Sequence, residues 1–374
     1  MLQKLSLSLL FSLALAPSLV YAEANLVLDT ETFEKAKVIQ ILEQGTTTVA
    51  GTATVGQTQT IKIEVLGGVD QGKTATFKND YIQLKVGEIF YARHQSNHLD
   101  SSDYWSVAEP YRLNILVWLA IAFVVLIFVF GGIQGVRGLA SLIGSFFLIF
   151  YLLIPGIYGG YNAILVSLGV ASLIIIVGSY VTHGFNRTTT SAVIGMIITV
   201  VITGLAAYYV VRVGNLSGYS SEESTYLILN TRGAISMAGL LFGGIMIGLL
   251  GVLYDIAIGQ AVAIEELFRA GKHMTRQEVY KRGIRIGREH IGALVNTLAI
   301  AYVGASLPLL LLIQSSTVGT LFILNSEIFA TEIVRILIGS IGLILAVPVT
   351  TLIASYMLHG KILETESSHS SHRH

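Results

Sequence analysis

A chain of 374 residues is long enough for two or three soluble domains, but its charged fraction is 12%, its mean hydropathy is +0.70 and it has no cysteine. About half the ~25% charge of an ordinary soluble domain excludes one large water-soluble fold, and the missing thiols exclude disulfide frameworks, thiolate metal sites and a cysteine nucleophile. Twenty-three basic side chains balance 23 acidic ones, so net charge gives no reason to expect nucleic acid as a partner.

Residues 1–22 read as a signal peptide. Lys4 supplies a short positive region, LSLSLLFSLALA (5–16) the apolar core, and Pro17 its end. Val20, Tyr21 and Ala22 form a cleavage site, with AEA ending at Ala24 as the alternative. An uncleaved anchor is the other reading of the same stretch.

Residues 23–112 are polar and alternate with the period of strands. Ile61, Ile63 and Val65 face one side and Lys62 and Glu64 the other. GGVDQGK (67–73) predicts a turn, YIQLKV (81–86) a strand, Gly87-Glu88 a turn, and IFYARH (89–94) a further strand. The Thr/Gly-rich run 45–60 predicts a loop or an edge strand. The expected fold is a small extracytoplasmic β-barrel or sandwich. His94 and His98, with Asp100 and Asp103, offer metal-ligand chemistry or a polar surface loop.

Seven apolar segments follow, near 113–131, 138–156, 161–182, 190–212, 233–258, 291–314 and 332–358. Each can hold the ~20 residues that cross ~30 Å of hydrocarbon. Between Leu113 and Val211 the only formal charges are Arg137 and Arg187. The expected fold class is therefore an α-helical polytopic membrane protein, 113–358, with about seven transmembrane helices, an N-terminal β domain and a cytoplasmic tail, 359–374. With residues 23–112 outside, the cytoplasmic stretches hold eleven Lys and Arg: Arg137, Arg187, Arg269, Lys272, Arg276, Lys281, Arg282, Arg285, Arg288, Lys361 and Arg373. The outer loops hold Arg232, with Arg212 on a border. The positive-inside rule and the signal peptide thus select the same orientation.

Asp255 is the only one of six aspartates near a membrane segment. Gly244, Gly248, Gly251 and Gly259 share its helical face, and a glycine stripe admits a neighbouring backbone. The expectation is that Asp255 points into the bundle as a coupling group; a carboxylate at the cytoplasmic rim, paired with a basic loop residue, is the alternative. The sixth segment opens on RIGREHIGALVNTL. Glu289 and Asn296 lie on one face; His290, Thr297 and Gly304 lie about 100° around. This polar track suits proton exchange with Asp255 through His290, or simple hydrogen bonding across helices. In the seventh segment Arg335 shares a face with Gly339 and Gly342, and Glu332 is placed to pair with it; snorkelling to the interface is the alternative.

The link 259–290 predicts structure. Gly271 is placed as a left-handed helix cap. Thr275 and Glu278 form a capping box for a basic amphipathic helix with Tyr280, Ile284, Gly287 and Ile291 on one stripe. Anionic lipid headgroups, or a docked protein, are its expected partners. The tail histidines His369, His372 and His374 offer a weak metal site or a polar tail. No phosphate-binding loop, zinc motif or second membrane aspartate is present, so no cofactor is expected and an intramembrane hydrolase is disfavoured.

Several runs resemble one family: YRLNILVWL (111–119), GGIQGVRGLASL (131–142), YVTHGFNRTTTSAVIG (180–195), GVLYDIAIGQA (251–261), REHIGALVNTLAIAYVGASLPLLLL (288–312) and FATEIVRILIGSIGLILAVPVTTLIA (329–354). They are similar to the YibE/F-like bacterial membrane proteins, which implies a protein of the bacterial cytoplasmic membrane. Tyr254 stands where members often carry a second acid. A partial likeness over 244–356 to the SecF half of proton-driven export motors is one of arrangement. Three functions follow: a secondary transporter or proton-coupled component, an intramembrane enzyme, or a noncatalytic scaffold whose β domain or basic link docks a partner.

Overall fold

The computed structural model describes residues 30–48, 55–97, 102–220, 222–231, 233–271, 273–315 and 317–359. The signal peptide, His98, Asp100, His369, His372 and His374 lie outside the described residues. The chain divides into two compact units, Met1–Ala122 and Phe123–His374.

The first unit holds one antiparallel five-stranded sheet in the order β3-β2-β1-β4-β5. Its strands are β1 (Thr30–Thr48), β2 (Val55–Val65), β3 (Thr74–Asn79), β4 (Ile89–Asn97) and β5 (Ser102–Pro110). Edge strands β3 and β5 approach each other, so the sheet curls into a half-barrel. Its core is Ala36, Val38, Ile61, Ile63, Leu84, Phe90 and Ala92, which confirms the alternation of 61–65 as an inward face. Gly68 (φ 94°) and Gly72 (φ 83°) make the turn after β2, and Gly87 (φ 89°) the turn before β4, conformations that cost a glycine little. Two details differ from expectation. Of the run 45–60, the described residues 45–48 and 55–60 are paired ends of β1 and β2, with Gly45 opposite Thr58 and Thr48 opposite Val55. Residues 81–86 are not a strand: the Leu84 N–H and carbonyl are bonded by the side-chain amide of buried Gln59, at 2.9 and 3.1 Å. The glutamine does the work of a neighbouring strand, so Leu84 reaches the core without one.

In the turn between β2 and β3, Asp70 is held by Lys73. This hydrogen bond, the Lys73 charge and His94 together keep its carboxyl below the ordinary range, against the opposing effect of burial. A carboxylate lowered in the folded state contributes stability that is complete above the unfolded value near pH 4 and disappears as pH falls through the folded value. Residues 25–112 expressed alone are expected to give a β-type circular dichroism spectrum at neutral pH. Acid should unfold them below about pH 4, less steeply with Asp70→Asn. A random-coil spectrum at neutral pH would show that the sheet does not fold alone.

The second unit is helical. Its elements are α1 (Leu113–Tyr158, beginning in the first unit), α2 (Ala163–His183), α3 (Arg187–Val213), α4 (Glu222–Asn230), α5 (Met237–Ala270), α6 (Arg276–Ala305), α7 (Leu307–Ser315), α8 (Thr320–Asn325) and α9 (Glu327–Leu358). By length and apolarity five of these helices can cross a membrane, and a sixth crossing counts α6 with α7, which meet at a 68° bend. The protein is a multi-pass membrane protein. The two expected segments 113–131 and 138–156 fall on one helical run. That run breaks at Gly132 (φ 52°, ψ −143°). The chain folds back sharply there: a Cβ on Gly135 would lie 2.7 Å from the Ile127 carbonyl oxygen, whereas residues eight apart on a straight helix are about 12 Å apart.

The core of this unit is the packing of α9 on α3, α5 and α6, with α2 against α5. Small residues set how close the helices come. Gly195 lies over Thr350, Gly342 over Thr203 and Leu249, and Gly243 over Ser167. In lipid such contacts replace the hydrophobic effect as the source of helix association. Asn162, Asn186, Ser236 and Thr275 cap α2, α3, α5 and α6, and the Thr275–Glu278 capping box is present. Gly271 ends α5 at φ −119°, so it is not the left-handed cap expected. Its N–H bonds the Leu267 carbonyl in an ordinary last turn.

Candidate intramembrane polar site

Helix α5 presents two faces. Leu241, Phe242, Ile245, Met246, Leu249, Leu253, Ile256 and Ala257 are buried. Gly244, Gly251, Asp255 and Gly259 are exposed, and a Cβ at any of the three glycines would meet nothing within 4 Å. Asp255 thus lies on the outward face, contrary to the inward direction expected. The physical reason is packing: in lipid, helix association rests on van der Waals contact, and the leucine, isoleucine and phenylalanine face offers far more contact atoms to α2, α3 and α9 than a glycine stripe does. Gly248 alone of this stripe is covered, by the Tyr302 hydroxyl of α6. Among the described residues Asp255 has no hydrogen bond or ion pair.

Its neighbour Tyr254 turns toward α2. The Tyr254 hydroxyl donates to the Gly178 carbonyl at 3.3 Å, and its ring lies 6.0 Å from the His183 imidazole. Tyr254, Thr182, Gly178, Ser141, Ser145 and Gly251 line a groove of about 370 Å³ between the second half of α1, α2 and α5. Gln134 donates to the Thr182 carbonyl at 3.1 Å, which ties α1 to α2 at this end. Ser179 is fully buried and its hydroxyl has no partner. A Cβ on Gly178 would sit 2.8 Å from the Ser141 hydroxyl; glycine there lets α1 and α2 meet. Apart from Tyr254 and Gly251, the sequence reading does not single out these groups. The available signal was hydroxyls or glycines four apart on facing spans: Ser141 with Ser145, and Gly178 with Thr182.

One turn further along α5, Gln260 is buried between three helices. Its amide donates to the Gly283 carbonyl at 2.8 Å and to the Thr351 hydroxyl at 2.7 Å. Gly283 and Gly287 make room for it: a Cβ on Gly287 would lie 3.0 Å from the Gln260 amide oxygen. Of the stripe expected on α6, Gly287 is buried and Ile284 and Ile291 pack partly buried against the core, while the fully buried line also takes in Val279 and Gly283. Glu265 accepts from Thr188 at 2.5 Å and from Arg269 at 2.6 Å.

The rest of the α6 polar track is not gathered here. Glu289, His290, Asn296, Thr297 and Gly304 are exposed. Thr297 spends its hydroxyl on the Ala293 carbonyl of its own helix, at 2.9 Å. Among the described residues no contact joins Asp255 to Arg285, Arg288 or His290. Arg335 behaves as expected toward Glu332, pairing at 2.8 Å. Its guanidinium lies 5.9 Å from the Tyr302 ring, and Gly339 and Gly342 are buried on its face. His94 is no surface-loop residue: it lies on β4 with its side chain largely buried. No group of three or more metal-ligating residues occurs among the described residues.

A protein-family model described as YibE/F-like protein matches residues 119–360. The chain belongs to the YibE/F-like family. No curated protein and no solved structure matches, and nothing in the comparisons links the chain to export motors. In this YibE/F-like protein the matched span takes in the groove, Asp255, Gln260 and Arg335. It leaves out the β domain.

Proposed function

We propose that this YibE/F-like protein works in the bacterial cytoplasmic membrane as a secondary transporter or as a proton-coupled component of a transport system. The observation that carries the reading is the hydroxyl-lined groove beside Tyr254, adjoining the only membrane aspartate. A mostly apolar groove with a few hydroxyls and no formal charge among its lining residues suits a small neutral or amphiphilic solute. Asp255 is the candidate coupling group, since intramembrane carboxylates mark ion and substrate paths. The test is flux in proteoliposomes under an imposed pH gradient, followed with an internal pH-sensitive dye. Wild type should collapse the gradient faster than protein-free vesicles, and Ser141→Trp, which plugs the groove, should return the rate to background. Equal rates for wild type and empty vesicles would remove the proton-coupled reading.

The second reading is a scaffold or accessory subunit, favoured by one observation: the Gly244–Asp255 face of α5 is open. A partner helix there would bury the carboxylate.

Either reading uses the same orientation, with the β domain outside and Gly132 as the turn between two crossings of α1. A reporter fused after His374 should read cytoplasmic, and one inserted near Gly218 extracytoplasmic. Reversed signals would overturn the positive-inside assignment.

A further inference from the structure

The β domain carries a second cluster of polar groups, independent of the membrane groove. His94 projects from β4 with its side chain largely buried. Its Nδ1 lies 2.7 Å from Asp70 Oδ2, and its Nε2 lies 3.3 Å from Asp103 Oδ1. The two carboxylates come from distant parts of the curl. Asp70 is in the turn joining β2 to β3, and Asp103 is on β5, the opposite edge strand. The imidazole is stacked on Trp105, its cross-strand partner, with centroids 4.1 Å apart and planes 6° from parallel.

The charges around this ring are unbalanced. From β1, Glu34 is buried; its Oε1 accepts from the Val69 and Asp70 N–H groups while its Oε2 has no partner. Thr32, opposite His94 on β1, also has an unpartnered hydroxyl. From the turn come Asp70 and Lys73, and from β5 Asp103. Arg93 is engaged by Glu31 at 3.0 Å. Among the described residues Lys73 is thus the one fixed cation facing three carboxylates: Glu34, Asp70 and Asp103. It feels all three.

A neutral imidazole that donates its Nδ1 proton to Asp70 turns a bare lone pair toward Asp103, which repels that carboxylate. In agreement, Nε2 is buried and makes no hydrogen bond. An imidazolium donates from both nitrogens and supplies the second positive charge. We propose that His94 is a proton-operated clasp of the β domain: protonated, it ties the β2–β3 turn to β5 through Asp70 and Asp103; neutral, it holds Asp70 alone and leaves β5 held by its ladder to β4. Trp105 is the lid of this clasp, because an aromatic face favours a stacked cation over a neutral ring. One proton on this ring would thus be felt on both sides of the curl, at the β2–β3 turn and at β5.

The test uses the full chain in detergent with Trp118→Phe, which leaves Trp105 as the only tryptophan. Between pH 8 and pH 5 the Trp105 emission should fall sigmoidally as the stacked ring becomes a cation, and His94→Gln should abolish the transition. Hydrogen exchange across Ser102–Pro110, corrected for the intrinsic pH dependence of exchange, should be slower at pH 5.5 than at pH 8. Asp103→Asn should erase that difference while leaving the emission transition in place, a separation that a purely structural histidine does not produce. A flat Trp105 titration in the parent protein overturns the proposal without recourse to any histidine variant. So does β5 exchange that is equally fast at both pH values, or an emission transition that survives His94→Gln.

Discussion

Gly195→Leu is expected to keep the membrane unit from folding, whereas Gly244→Leu leaves it intact. At position 195 a Cβ would meet the Thr350 hydroxyl at 2.5 Å, its Cα at 3.0 Å and its Cβ at 3.1 Å. One of these atoms is backbone, so no rotamer change relieves the contact; α3 and α9 must separate. Overpacking a well-packed interior costs about 1–3 kcal/mol where side chains can shift, and more where two helices are forced apart. Total stabilities are only about 5–15 kcal/mol, and α3 with α9 is the most extensive helix pair of this unit. Gly244 faces open space, so four extra carbons there meet nothing within the chain. Fluorescence-detected size exclusion and thermal unfolding in detergent should show aggregated or strongly destabilised Gly195→Leu beside monodisperse Gly244→Leu. Equal behaviour of the two would mean that the α3–α9 contact at Gly195 is not close-packed, or that the Gly244 face of α5 is not open, as described. If Gly244→Leu folds well but fails to associate with other envelope proteins that bind wild type, the open face is a docking surface and the scaffold reading gains.

The second large effect concerns Asp255. Asn keeps the shape and most of the hydrogen bonding of the side chain but removes its titration. Because Asp255 has no ion pair among the described residues, the variant loses no salt bridge. Thermal stability should hold or rise slightly, since a carboxylate in a membrane helix costs roughly 2.5–3.5 kcal/mol at the centre on insertion scales, less near an end. If Asp255 couples transport to protons, Asp255→Asn should abolish flux in proteoliposomes and Asp255→Glu should retain part of it. A variant that is folded and transports as wild type does would withdraw the coupling role. A large loss of stability in Asp255→Asn would instead reveal a partner for the carboxylate, such as one on another chain.

Period-two and length arguments located the elements because they depend on local pattern. The alternation at 61–65, the glycine turns, the apolar helices and the Thr275 capping box all follow from residues within a few positions of one another. Long-range substitution escaped them. The 81–86 run alternates as a strand does, yet a glutamine twenty-five positions upstream takes the place of its ladder partner. The direction of Asp255 was misread for a similar reason. A glycine stripe marks a face that can pack closely, but whether a neighbour is there depends on helices up to a hundred residues away. Gln260 was invisible because one buried amide in a polar helix end looks like a surface residue until Gly283, Gly287 and Thr351 converge on it. Arg335 and Glu332 were legible because they lie three apart on one helix.

The length of α5 has a mechanical consequence. Its 34 residues span about 51 Å at 1.5 Å per residue, against ~30 Å of hydrocarbon. The end carrying Glu265, Glu266 and Arg269 must therefore stand clear of the lipid as a rigid stalk. Gln260 binds that stalk to the start of α6 like a rung on a ladder. A small tilt of α5 within the bilayer becomes, at Ala270, a sideways sweep of several ångström, with α6 carried along. Through the Gln260 bonds to Gly283 and Thr351, α6 and α9 would share any such displacement of α5.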